Sequence, residues 1–253
     1  MYQRFAEIYD IFMTDVDYAA WARKLLAVFE KNGVSGRSRI MDAACGTGNI
    51  TLPLAKAGHF VTGSDISESM LNAAAQKARA AGLKIAFVRQ NLTALSAHRP
   101  QDAVNCSCDG VNYLASPADV CAFFNSAFSL LRPGGLICFD VSSRHKLENI
   151  LAGNTFGETS EKAAYLWKNA YDPSSRLLEM ELTCFVSNDG ENYARFFERH
   201  VQRAHSSDEL LSWLAKCGFT DVSVCDSSTL KPPGRDSERL LFTGRKPLEN
   251  RHG

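Results

Sequence analysis

No excess charge of either sign marks this chain: 28 basic and 28 acidic side chains among 253 residues balance to a formal net charge of zero. That excludes a general electrostatic attraction to nucleic acid or anionic lipid, so neither a nucleic-acid nor a membrane partner is expected. No apolar run is long enough to span a bilayer. The opening residues lack the basic, apolar and small-residue order of a secretory signal, with Arg4 and Glu7 set among aromatics. A cytoplasmic location is the resulting expectation. The eight cysteines form no C-x-x-C pair and lie mostly in apolar stretches such as Ile137-Cys138-Phe139. Cys106 and Cys108 would share one face of a strand, and read as small buried residues rather than metal ligands. No metal-ligand spacing, Ser-His-Asp arrangement, repeat or low-complexity tract is present, so no metal is expected.

What is present is an alternation of strand and helix patterns. Residues 1–35 read as helical, with Phe5, Tyr9, Phe12, Tyr18, Trp21, Leu25 and Phe29 as the apolar pattern, ended by Gly33 and Gly36. Strands are predicted over 39–42, 60–65, 85–88, 103–107 and 136–141. A helix opens near Gly48, a second runs from the cap Ser67 to 81, and a third covers 119–131 before a turn at 132–135. Such alternation predicts an α/β, Rossmann-like doubly wound parallel sheet with helices on both faces. Residues 142–160 read as irregular. Strand-like runs follow at 165–171, 178–186 and 193–203, with Asn188-Asp189-Gly190 as a hairpin signal. This predicts an inserted antiparallel β flap. Ser207 then caps a helix to 216, Gly218 stops it, and 222–224 and 240–243 supply two closing strands.

The first chemical signal is Ile40-Met41-Asp42-Ala43-Ala44-Cys45-Gly46-Thr47-Gly48. An acid ends a strand and a small-residue turn follows. Gly46 and Gly48 let the backbone approach a ligand closely. Helix-terminal N–H groups there suit a carboxylate, and Asp42 suits a cationic amine. The second signal is Asp65, ending the next strand, where an acid accepts hydrogen bonds from ribose hydroxyls. Amino acid and ribose together point to S-adenosylmethionine as cofactor. Ile66 and Met70 offer an apolar wall to adenine, and Asn91 with Leu92 meets its edge. A dinucleotide would need a third glycine at the position of Thr51, so the G-x-G-x-x-G pattern of an NAD-dependent oxidoreductase fails.

These motifs resemble those of the class I S-adenosylmethionine-dependent methyltransferases, in the small-molecule, bacterial-like style. Asp42 to Gly48 is similar to their first motif, with Ala44 where glycine is common. Asp65-Ile66-Ser67-Glu68-Ser69-Met70 resembles the ribose segment, Gln90-Asn91-Leu92 the adenine segment, and Leu131 to Leu136 the turn before the fifth strand. The resemblance implies a seven-stranded sheet with its last strand antiparallel. It implies an N-terminal helical lid over 1–35, whose Tyr9 lies near the methionine part of the cofactor. The chain then divides into that lid, a cofactor-binding core over 36–141, an acceptor-side antiparallel insertion over 142–205, and a closing helix and strands over 206–246.

Methyl transfer is an in-line displacement with a good leaving group, so alignment and exclusion of water matter most. A base is needed only if the acceptor loses a proton. No catalytic constellation stands out. Cys108 belongs to the cofactor-binding set. Asp109 orients the acceptor or caps the following helix; Tyr113 faces the sulfonium or packs in the core. His145 and His200 are candidate bases or plain packed residues. Phe196, Phe197 and Trp167 line an acceptor pocket or pack the sheet. Glu198, Arg199 and Arg203 form a solvated or salt-bridged face, or the arginines meet an acceptor carboxylate. The absent N/D-P-P-Y/F motif disfavours an amide-nitrogen acceptor. The expected function is methyl transfer to a small molecule. A non-catalytic S-adenosylmethionine sensor or partner subunit is the alternative.

Overall fold

The most deeply buried strands take the centre of the main sheet. The computed structural model describes residues 5–13, 16–187 and 189–248. The elements are α1 (Phe5–Phe12), α2 (Tyr18–Lys31), β1 (Arg39–Ala43), α3 (Thr51–Lys56), β2 (Phe60–Asp65), α4 (Glu68–Ala80), β3 (Ala86–Arg89), β4 (Gln101–Cys106), α5 (Pro117–Leu130), β5 (Leu131–Ser142), β6 (Thr155–Thr159), β7 (Ala163–Asp172), β8 (Leu177–Ser187), β9 (Tyr193–Arg203), α6 (Ser207–Lys216), β10 (Thr220–Asp226) and β11 (Arg239–Arg245).

The main sheet runs β10-β11-β5-β4-β1-β2-β3. β1 to β5 pair in parallel. β11 is antiparallel to both neighbours, as the resemblance implied. β1, β4 and β5 lie at the centre and are buried on both faces, as parallel strands covered by helices must be. Alternate residues feed two cores. Met41, Val104, Phe139 and Phe242 face α5 and α6 with Phe123, Phe124 and Leu214; Ile40, Ala103 and Cys138 face α2 and α3 with Leu25, Phe29 and Leu54. Phe139 and Phe242, direct partners across β5 and β11, stack with centroids 5.1 Å apart. Each such buried phenyl contributes roughly 2 kcal/mol through lost water contact.

The second sheet, β6-β7-β8-β9, is antiparallel and lies in sequence between β5 and α6. Its inner face carries Leu178, Met180, Leu182 and Cys184, and packs on Ile8 and Phe12 of α1. Asn112 joins the ends of this segment: its Nδ2 donates to the carbonyls of Ser142 at 3.1 Å and Arg203 at 3.0 Å.

Four expectations need correction. Residues 142–160 are not irregular: Lys146–Leu151 is π-helical with Leu147 buried, and β6 pairs with β7. β6 is almost wholly exposed, so it shows no apolar alternation. The segment 132–135 belongs to β5, where the register against β4 shifts and Gly134 takes φ +78°. The cap of α6 is Ser206, not Ser207, with Glu209 completing a capping box. The helix predicted at Gly48 begins at Thr51. In the β8–β9 turn, Asp189 Oδ1 accepts from the amides of Glu191 and Asn192, while Asn188 lies outside the described residues. Among the described residues no helix is long and apolar enough to cross a membrane.

Candidate functional site

The site assembles at the carboxyl ends of β1, β2 and β4. After β1 the chain turns through three left-handed residues: Ala44 (φ +53°), Gly46 (φ +53°) and Gly48 (φ +81°). Glycine is needed at the last two for different reasons. A Cβ on Gly48 would lie 2.9 Å from Leu52 Cδ1 and 3.1 Å from Ala74 Cβ, so that glycine lets α4 pack against the turn. A Cβ on Gly46 would meet no protein atom within 4 Å. The turn therefore presents bare backbone to open space at Gly46, a cradle that suits a ligand.

Asp65 fixes this turn. Its Oδ2 accepts from the Gly46 amide at 2.9 Å and its Oδ1 from the Ser67 amide at 2.8 Å. Burial raises its pKa, and the amides oppose that shift. Each oxygen keeps a second lone-pair direction for a ribose hydroxyl. Ile66 beside it is more than half exposed, whereas Met70 is buried at the start of α4.

Asp42 is more deeply committed than its position suggested. Its oxygens accept from Thr51 Oγ1 at 2.5 Å and Asn105 Nδ2 at 2.7 Å. Burial pushes its carboxyl up to about 6. It ties α3 to β1 and β4. Asn91 likewise serves locally: Oδ1 accepts from Thr93, capping a 3₁₀ turn at Leu92–Ala94. Its oxygen thus accepts from both the amide and the hydroxyl of Thr93. Leu92 packs half-buried against the core.

After β4, Cys108 and Asp109 are both left-handed, at φ +62° and +67°. The Asp109 side chain has a structural role rather than a capping one. It makes no capping bond, and its carboxylate pairs with Arg239, Oδ1 lying 2.5 Å from Nη1. Arg239 also pairs with the fully buried Asp140. Asp140 in turn accepts the Cys108 amide at 2.7 Å. One guanidinium between two carboxylates thus holds the strained turn to β5 and β11.

Two contacts close over this edge. Asp10 on α1 accepts from Thr47 Oγ1 at 2.8 Å and Asn49 Nδ2 at 2.9 Å, both in the glycine turn. Lys77 of α4 donates to Asp10, Thr47 and Asn49 at 2.7, 3.0 and 2.6 Å. None of these four residues was singled out in the sequence, because their association crosses three elements. Tyr9, half-buried, sits with its hydroxyl 3.5 Å from that of Tyr18. Burial, first, and Tyr18 raise its pKa.

Tyr113 and His200, weighed separately, meet. Their rings form an edge-on pair with centroids 6.0 Å apart, linking the 3₁₀ turn Gly110–Tyr113 to the inner face of the second sheet. Burial lowers the pKa of His200 to about 4, so the ring is neutral near pH 7. Register puts Phe196, Glu198 and Trp167 on the same face. Phe197 points to the other face and is half exposed. Arg199 pairs with Glu179 and Arg203 with Glu209. His145 is not part of this group; its Nδ1 pairs with Asn149 at 3.1 Å, beyond the end of β5.

Residues 40–135 match the family described as "Methyltransferase domain". A protein of Geobacillus sp. (strain WCH70), named "Putative methyltransferase", is 36% identical over 245 residues, covering 97% of this chain and 99% of that one. A Bacillus subtilis (strain 168) protein of the same description is 36% identical over 247 residues, covering 97% of each. The crystal structure of an S-adenosylmethionine-dependent methyltransferase from Clostridium acetobutylicum superposes with a TM-score of 0.87 at 30% identity, covering 97% of this chain and 99% of that one.

Proposed function

Since the chain belongs to the class I S-adenosylmethionine-dependent methyltransferases, we propose that it methylates a small molecule held between Tyr113, the inner face of the second sheet and α1. It is an enzyme with S-adenosylmethionine as cofactor, which supplies a methyl group activated on a cationic sulfur.

In this reading the residues divide the work. The bare turn at Gly46, with the neighbouring Ala44 and Gly48, receives the amino-acid end of the cofactor, and Asp65 its ribose. Ile66, Met70, Asn91 and Leu92 border the adenine. Asp42 acts at one remove, by holding α3 and β4 in place. Tyr9 and Cys108 flank the sulfonium end. Residues 1–35 serve as the lid and 142–205 as the acceptor side.

The observation that carries the proposal is the Tyr113–His200 pair. It joins the carboxyl edge of the core to an aromatic sheet face, with α1 packed against that face. A neutral His200 can take a hydrogen bond from an acceptor N–H or O–H and hold its lone pair toward the methyl group.

The test couples release of S-adenosylhomocysteine to a screen of amines, phenols and carboxylates. Tyr113→Ala and His200→Ala should leave cofactor affinity within about twofold and lower turnover by roughly tenfold or more. Wild-type turnover in both variants, with the acceptor found by the screen, would place the acceptor elsewhere.

A further inference from the structure

We propose that Cys121 and Cys217 are a modification site: a thiol pair that a low-molecular-weight disulfide closes into a reversible cross-link between α5 and α6. This cross-link does not depend on where the acceptor binds.

The two residues are 96 positions apart in sequence, and packing brings them together. Cys121 lies in the second turn of α5, and Phe124 and Phe128 follow it at the i+3 and i+7 spacing of one helical face. The end of α6 sits on that face. Cys217 is its C-cap, and Gly218 after it is left-handed at φ +94°. A Cβ on Gly218 would lie 3.2 Å from Phe128 Cε2, so the missing side chain lets the chain approach α5 closely. Phe219 then sets its ring edge-on to Phe128, with centroids 5.2 Å apart. These two contacts hold the Cys217 backbone against α5.

Cys217 Sγ donates to the Cys121 carbonyl at 3.8 Å, and the two thiols hydrogen-bond to each other. Both residues are half-buried, so a small oxidant can reach them. By contrast Cys106, Cys138 and Cys184 are buried. Burial first, and then Cys121, push the Cys217 thiol up to about 11. Little of its thiolate is present near neutral pH, so closure is slow there and accelerates as pH rises.

The oxidant RSSR balances the reaction. One of the two cysteines loses its proton, and its sulfur attacks a sulfur of RSSR; the S–S bond breaks and RS⁻ leaves with the electron pair. The other cysteine, deprotonated in turn, attacks the protein sulfur of that mixed disulfide, and the second RS⁻ leaves. The pair is oxidised by two electrons, RSSR is reduced to two RSH, and the two released protons end on those thiols. A disulfide holds its sulfurs about 2.0 Å apart, so closure draws the end of α6 onto α5. Joining residues so distant in sequence also restricts the unfolded chain, which makes the oxidised protein the more stable form.

The experiment incubates the full chain with oxidised glutathione over a range of pH, blocks residual thiols, and maps disulfides by mass spectrometry without reduction. An intramolecular Cys121–Cys217 link is expected, formed faster as pH rises and reversed by dithiothreitol. It should raise the melting temperature by about 5 °C or more. Cys121→Ser and Cys217→Ser should each abolish both the link and the shift. Binding of S-adenosylmethionine shows whether a variant is folded; where serine disturbs the interface, alanine at the same position replaces it. No Cys121–Cys217 link after prolonged oxidation, or mixed disulfides at both residues that never resolve, overturns the site. So does a link that leaves the melting temperature unchanged or lower, or the same thermal shift in the folded variants.

Discussion

Lys77 Nζ lies 2.7 Å from Asp10 Oδ2, so a helix of the core holds the N-terminal helix by one ion pair, across the side chains of the glycine turn. Both partners are about a third exposed or more, and such a pair alone contributes about 1 kcal/mol or less to stability. Its expected effect is on closure. Asp10→Asn and Lys77→Met should change the melting temperature little. They should speed release of S-adenosylmethionine several-fold and raise amide exchange in α1, measured by stopped flow and hydrogen exchange. Unchanged release in both variants would mean that α1 is held by its packing on the second sheet alone.

The two glycines of the turn should separate folding from binding. Gly48→Ala forces a Cβ against Leu52 and Ala74 at a positive φ, and should cost about 2–3 kcal/mol by urea unfolding. Gly46→Ala meets nothing in the protein and should cost about 1 kcal/mol from the left-handed backbone. The same methyl projects toward the cofactor, so calorimetry should show the larger loss of affinity in Gly46→Ala.

Asp65→Ala should weaken cofactor binding by roughly tenfold or more, from loss of bonds to the ribose. It also frees the Gly46 and Ser67 amides, so a modest fall in melting temperature accompanies it. A folded variant with wild-type affinity would contradict the assignment.

Arg239→Met leaves Asp140, with no solvent exposure, and Asp109 facing each other without a cation. Breaking one side of such a buried pair costs about 3–5 kcal/mol, so the variant should be unfolded or strongly destabilised by urea titration. The triple variant that also carries Asp109→Asn and Asp140→Asn should recover part of the loss.

Acid should weaken the fold through His200 and His205, both lowered to about 4 by burial. A free imidazole titrates near 6.5. Between those values the unfolded chain binds more protons, so stability present above about pH 6.5 is lost as pH falls toward about 4. Asp42, raised to about 6, works the other way: its contribution fades as pH rises from about 4 to about 6. The stability difference between the wild type and His200→Gln, taken at each pH, isolates one histidine. It should fall by about 2–3 kcal/mol across that window.

The parallel core was readable because its strands are buried runs bounded by glycine turns, and Asp65 because strand, acid and cap fall in fixed succession. Ser206 was missed by one position, since Ser206, Ser207 and Asp208 are consecutive good caps and only the return bond from Glu209 selects among them. β6 was invisible, being mostly exposed and tied to β7 by backbone pairing and the Phe156–Trp167 ring contact. The Asp109–Arg239–Asp140 clasp and the Asp10–Lys77 network join residues 28 to 130 positions apart, which no local pattern encodes. Tyr113 and His200 were both noticed, but their meeting depends on how one sheet sits over the other.

The Asn112 side chain gives the second sheet a particular kind of independence. Leaving at Ser142 and returning at Arg203, the chain comes back to the same amide it left. Closing a longer or shorter segment there changes the entropic cost only logarithmically with its length. β5 and α6 would then keep their junction at Asn112 whatever the length of the segment between them. On the proposed reading, replacing the segment between those two carbonyls would alter the acceptor while leaving the methyl-donor turn in place.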